Sequence, residues 1–136
     1  REGNAGSVTV DHQVKYAGNA AAHLFKAEGP GGVQLSTRNA IAVTPGLRYR
    51  VNCQLRTANS TGAQAYWMVS ATDETGSPMP GANLFGRFVK GNQDFQPLPF
   101  EFVAPPGAVA IRLHFLVSLP GELEAWVDDV SFEQVQ

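Results

Sequence analysis

The sequence predicts an all-β domain, folded as a two-sheet antiparallel β-sandwich. Three observations carry that expectation. Runs of strand length alternate apolar and polar side chains with a period of two, which gives each sheet one buried and one wet face. The 14 glycines and 9 prolines are spread along the chain and break it at short intervals, as in Gly29-Pro30-Gly31-Gly32 and Pro45-Gly46. No window sustains an apolar repeat of helical period.

Four strands stand out. In residues 48–56, Tyr49, Val51, Cys53 and Leu55 share one face, and Arg48, Arg50, Asn52, Gln54 and Arg56 share the other. In residues 64–73, Ala65, Trp67, Val69 and Ala71 alternate with Tyr66, Met68, Ser70 and Thr72. The short segment 58–63 between these runs predicts a hairpin, with the two strands as antiparallel neighbours. In residues 109–118, Val109, Ile111, Leu113, Phe115 and Val117 oppose Arg112, His114, Leu116 and Ser118. In residues 122–135, parity puts Trp126, Asp128, Val130 and Phe132 together on the inward side. Weaker patterns place strands at 7–10, 21–27, 33–36, 40–43, 84–89 and 100–103.

At 136 residues the chain has the common size of one domain and enough apolar content, 43%, for one core. One domain over residues 1–136 is therefore expected, with no linker and no internal repeat. The start at Arg1, without an initiator methionine, reads as a piece cut from a longer protein. Net charge is −2, from 10 basic and 12 acidic residues, so no nucleic-acid partner is expected. No apolar run approaches the ~18 residues of a membrane span, and no membrane partner is expected. The single Cys53 excludes an internal disulfide. A monomer is expected.

Four phrases carry a family resemblance. They are Gly18-Asn19-Ala20-Ala21-Ala22-His23-Leu24, Val43-Thr44-Pro45-Gly46-Leu47-Arg48-Tyr49, Phe102-Val103-Ala104-Pro105 and Trp126-Val127-Asp128-Asp129-Val130-Ser131-Phe132. In order and spacing the chain resembles the jelly-roll carbohydrate-binding modules of families 4, 9 and 22, within the galactose-binding-like sandwiches. It departs from them at Phe95, where the family often has Trp, and at Arg1-Glu2-Gly3, where the usual opening Phe-Glu is missing. The resemblance implies a non-catalytic, secreted module that binds a polysaccharide or oligosaccharide and is attached to a polysaccharide-degrading catalytic domain.

The resemblance also implies a structural calcium. Similar modules hold the ion against the acid at the position of Asp128. Gly18, Asn19 and Ala21 would offer carbonyls and Glu2 a carboxylate, in keeping with the 6–8 oxygen ligands that Ca²⁺ takes. The residues themselves pose the same question, because an inward carboxylate at Asp128 needs a partner. Loop N–H groups or an arginine would serve equally well.

The wet face of the paired strands is the candidate sugar platform. It would display Arg50, Asn52, Gln54, Arg56, Tyr66 and Met68, with Arg112 and His114 if their strand joins the same sheet. Aromatic rings cover the apolar C–H faces of sugars, while planar amide and guanidinium groups bond the hydroxyls. The arginine content adds a uronate or other acidic glycan as a narrower reading. The bland alternative is an ordinary solvated sheet face. Parity assigns Trp67 and Trp126 to the core. The segment Asn83-Leu84-Phe85-Gly86-Arg87-Phe88 carries two aromatics in a glycine-rich setting, where one ring could stack on a sugar at the rim or both could pack in an edge strand. Asn59-Ser60-Thr61 matches a glycosylation acceptor but sits where a turn is expected.

No G-x-S-x-G, P-loop or H-E-x-x-H motif is present, and the acid pairs 73/74, 122/124 and 128/129 are explained by turns and fold. Catalysis is not expected. The alternative to sugar binding is an accessory sandwich that packs on a catalytic domain through an apolar patch.

Overall fold

A computed structural model describes residues 6–14, 21–29 and 31–136. Its strands are β1 (Gly6–Asp11), β2 (Ala21–Lys26), β3 (Val33–Ser36), β4 (Ile41–Ala42), β5 (Arg48–Ala58), β6 (Gln64–Thr72), β7 (Leu84–Phe85), β8 (Gln93–Pro97), β9 (Phe100–Val103), β10 (Ala110–Ser118) and β11 (Leu123–Val135). One 3-10 turn, Pro80–Ala82, precedes β7. No helix among the described residues is long and apolar enough to cross a membrane.

The strands form two antiparallel sheets. A six-stranded sheet runs β1-β2-β11-β5-β8, with β9 also pairing β5. A five-stranded sheet runs β3-β10-β6-β7, with β4 also pairing β10. Between them lies one apolar core, which includes Leu24, Val51, Leu55, Trp67, Ile111, Phe115 and Leu123. The expected all-β jelly-roll sandwich is what the chain builds, and the inward faces predicted for β5, β6 and β10 are the observed ones. Val109 is the exception; it precedes β10 and is exposed.

The predicted hairpin is not formed. β5 pairs with β11, β8 and β9, whereas β6 pairs with β10 and β7. The connection after Ala58 carries the chain from one sheet to the other. A short polar loop serves such an arch as well as a hairpin, so length alone did not decide between them. β8 was missed because Gln93, Gln96 and Pro97 hide its pattern.

Parity also fails in β11. Asp128 pairs with Gln54 and Ser131 with Asn52, so three residues of β11 span two steps of β5. This is a β-bulge, and Asp129 takes the left-handed conformation within it (φ 54°). An extra residue reverses which face follows. Leu123, Ala125 and Val127 therefore point into the core, Trp126 and Asp128 lie on the outer face, and Phe132 returns inward opposite Val51. Val130, in the bulge, is 52% exposed.

Lys26 closes one end of the core. It is fully buried, and its Nζ donates to the carbonyls of Ala27 (2.9 Å), Gly29 (2.7 Å) and Gly121 (2.9 Å). Three short bonds to carbonyls replace the water that a buried ammonium loses. Nothing in the sequence pattern marked this lysine as interior.

Candidate carbohydrate-binding face

The eight residues expected on one platform occupy two opposite faces. Arg50, Asn52, Gln54 and Arg56 share the outer face of the six-stranded sheet, on β5. Tyr66 and Met68 on β6, with Arg112 and His114 on β10, share the outer face of the five-stranded sheet. The physical reason is the arch between β5 and β6.

On the six-stranded sheet the arginines are engaged. Arg50 bonds Glu101 through Nε (3.0 Å) and Nη2 (2.9 Å) and Glu133 through Nη1 (2.8 Å). Arg56 lies over Trp126, 5.0 Å from the ring centroid. His23, from the strand on the other side of β11, stacks on the same indole at 4.6 Å and 10°. Trp126 is thus covered on the outer face, 7% exposed, and not packed in the core as parity predicted. Its Nε1 donates to Asp11 Oδ2 at 2.9 Å. Backbone N–H bonds from Val14 and Gln13, with this indole, lower the Asp11 carboxyl to about 2. The open polar groove beside this face is lined by Arg56, Asn59, Asn92, Gln93 and Asp94, with no exposed aromatic.

The five-stranded sheet presents different chemistry. Phe85 (53% exposed) and Phe88 (41%) are the exposed aromatic side chains among the large exposed hydrophobics of the described residues. Phe88 stacks on Tyr66 with ring centroids 3.9 Å apart, and Phe85 lies 6.2 Å from the same ring. Tyr66 is therefore buried beneath them and is not itself displayed, while its hydroxyl bonds Ser118 Oγ at 2.7 Å. Gly86 allows this arrangement: its N–H bonds Trp67 O, and a Cβ there would come 3.1 Å from Phe100 Cγ.

Phe85 pairs with Met68, and Met68 with His114, which places them in one row across the sheet. His114 bonds Ser36 Oγ through Nδ1 (2.7 Å) and Ser70 Oγ through Nε2 (2.8 Å). A neutral imidazole donates at one nitrogen and accepts at the other, so it sets the direction of both hydroxyls. Burial, and then the charge of Arg112, push its pKa below the usual histidine value. The neighbouring row holds Leu116 and Gln34, paired across β10 and β3.

Of the expected calcium ligands, Glu2, Gly18 and Asn19 lie outside the described residues. Asp128 is on the outer face and accepts the N–H of Asp129, so burial no longer requires a cation there. Ala22 pairs with Val127, which puts Ala21 and Asp128 side by side at the end of that ladder. Among the described residues no three His, Cys, Asp or Glu side chains cluster as a metal site.

The fold defines the class: a jelly-roll β-sandwich of the kind found in carbohydrate-binding modules. The enzymatically active domain of bacteriophage CBA120 tailspike protein 4 matches over 96% of this chain at 16% identity and a TM-score of 0.65. The CBM22-1 and GH10 modules of Clostridium thermocellum endo-1,4-beta-D-xylanase 10B, solved with xylohexaose, match over 97% at 16% identity and a TM-score of 0.65. The chain spans 18% and 25% of the lengths of those two proteins. The CBM22-1 xylan-binding domain of Paenibacillus barcinonensis Xyn10C matches over all of this chain and 84% of its own length, at 14% identity and a TM-score of 0.61. At these identities the likeness establishes the fold. No protein-family model matches the sequence, and no curated protein matches it.

Proposed function

We propose that the chain is a non-catalytic carbohydrate-binding module whose glycan docks on the outer face of the five-stranded sheet. The observation that carries this is the pair of exposed rings, Phe85 and Phe88, supported by Tyr66 and sharing a face with the hydroxyl, imidazole and amide groups of Ser36, Ser70, His114 and Gln34. A sugar offers an apolar C–H face to the rings and hydroxyls to the polar groups. On the six-stranded sheet His23 and Arg56 cover the Trp126 ring, so that indole is not displayed. A xylan-binding domain of the same fold, and the matching quarter of the CBM22-1 and GH10 modules of a xylanase solved with xylohexaose, support the carbohydrate-binding reading.

In a secreted polysaccharide-degrading enzyme such a module raises the effective concentration of the catalytic domain at its polymer. A structural calcium at Asp128 and Ala21, completed by Gly18, Asn19 and Glu2, belongs to the same proposal. Chelation is then expected to lower the melting temperature more than the glycan affinity.

A glycan array on the isolated chain, followed by calorimetry on the hits, tests the reading. Binding that disappears in Phe85→Ala and Phe88→Ala supports it. Binding unchanged in both moves the site. One observation favours a second reading: Phe85, Phe88, Met68 and Leu116 also make an apolar patch that a catalytic domain would cover. No binding across a broad panel, with tight association to a glycoside hydrolase domain, selects that one.

A further inference from the structure

Charge is divided unequally between the two sheets. The strands of the six-stranded sheet carry Asp11, Asp94, Glu101, Glu124, Asp128, Asp129 and Glu133. The strands of the five-stranded sheet carry no acid at all, and Arg112 is their one Lys or Arg. Arg38, just beyond β3, and Arg87, between Phe85 and Phe88, border the same sheet and are exposed. None of these three arginines makes an ion pair among the described residues, whereas Arg48 and Arg50 on the opposite sheet do. At the end of the sheet, Asp73 is held in its own turn by Thr75 and Ser77.

Arg112 is also pre-oriented. Its Nη1 donates to the carbonyls of Arg38 (2.6 Å) and Thr37 (3.3 Å). Its Nε and Nη2 make no hydrogen bond among the described residues. Arg50 shows what that edge of a guanidinium does when an acid is present: its Nε and Nη2 both hold Glu101. Arg112 is an exposed residue, so the edge that Arg50 gives to Glu101 has no protein acid to hold in Arg112 among the described residues. A planar fork tethered at one nitrogen loses little freedom on binding a carboxylate through the remaining two. Arg112 lies two residues from His114 on β10, about 7 Å along the strand, within reach of a sugar next to one on the Phe85 row.

From this charge division and this open edge we infer that the face takes an acidic glycan, with the Nε–Nη2 edge of Arg112 gripping the carboxylate of a uronic acid residue. The inference rests on the docking face proposed above. It adds the substrate class: a carboxylate-bearing polysaccharide in place of a neutral one.

The test titrates the chain with glucuronoxylan, homogalacturonan and alginate, each alongside its carboxyl-reduced form, so that partners in a pair differ only in the acid. At least one acidic polymer is expected to bind about tenfold or more tighter than its reduced partner. The preference should shrink as salt rises. It should vanish in Arg112→Gln and return only partly in Arg112→Lys, which keeps the charge and loses the fork. Melting curves confirm that both exposed-site variants fold. Equal affinity for acidic and reduced forms, unaffected by Arg112→Gln, overturns the inference and leaves the docking face standing. An acid preference lost in Arg56→Gln and kept in Arg112→Gln overturns it in favour of the other sheet. No binding to any polymer in either form overturns the docking face itself, and the inference with it.

Discussion

Phe88 lies flat on Tyr66, 3.9 Å between centroids and 18° between planes, and the pair forms an aromatic ledge at the edge of the five-stranded sheet. Tyr66 is the support and Phe88 the exposed surface. Phe88→Ala and Phe85→Ala are each expected to weaken glycan binding about tenfold with little change in melting temperature. Tyr66→Ala should weaken binding and lower stability together, because it removes a buried ring. Calorimetry paired with thermal melts checks the distinction.

Arg56 and Trp126 belong to the opposite face. Arg56→Ala is expected to leave glycan affinity unchanged. It should lower stability by about 0.5–1 kcal/mol, the scale of a partly exposed cation–π contact. A loss of binding in Arg56→Ala with no loss in Phe88→Ala would place the site on the six-stranded sheet.

Lys26→Met keeps the apolar stem and removes the ammonium. The carbonyls of Ala27, Gly29 and Gly121 then lose their donor at the end of the core. A loss of about 2–4 kcal/mol in urea denaturation is expected. An unchanged midpoint would mean that water or neighbouring donors replace the ammonium.

Asp11 anchors the turn after β1 and the Trp126 indole, and its carboxyl is held at about 2 against an ordinary 3.8. The folded state therefore binds the proton less readily than the unfolded chain. The stability this adds is present above the ordinary value and lost as pH falls through about 2. Asp11→Asn should lower the melting temperature near neutrality and flatten the acid limb of the stability curve between about pH 4 and pH 2.

His114 titrates below its ordinary 6.5, chiefly because it is partly buried between two strands. Here too the unfolded chain takes the proton more readily. Stability from the neutral ring is present above 6.5 and lost as pH falls through the folded value. A protonated ring donates at both nitrogens, which reverses the hydrogen direction at Ser36 or Ser70. The His114 ring signals should titrate below 6.5 by NMR, and glycan affinity should fall over the same window in the wild type but not in His114→Asn.

The inward faces of β5, β6 and β10 were legible because strict alternation is enforced wherever one side meets the core: Val51, Leu55, Val69 and Phe115 could not have been elsewhere. Which strands are neighbours was not legible. The link from Ala58 to Gln64 reads alike as a hairpin or as an arch, and that ambiguity merged Arg50 to Arg56 with Tyr66 and His114 into one platform. Trp126 and Asp128 were turned the wrong way because one residue inserted at Asp129 leaves the composition of β11 unchanged while it reverses parity. The sequence leaves Phe85 and Phe88 between edge-strand packing and a stacking position, because their exposure depends on how the segment folds over Tyr66, which is a tertiary property.

The most direct test of the account is an amide chemical-shift titration of the chain with the glycan that binds it best. The largest shifts are expected along β6, β7 and β10, centred on Met68, Phe85 and His114, with β5 and β11 unmoved. Shifts confined instead to Gln54, Arg56 and Trp126 would contradict it.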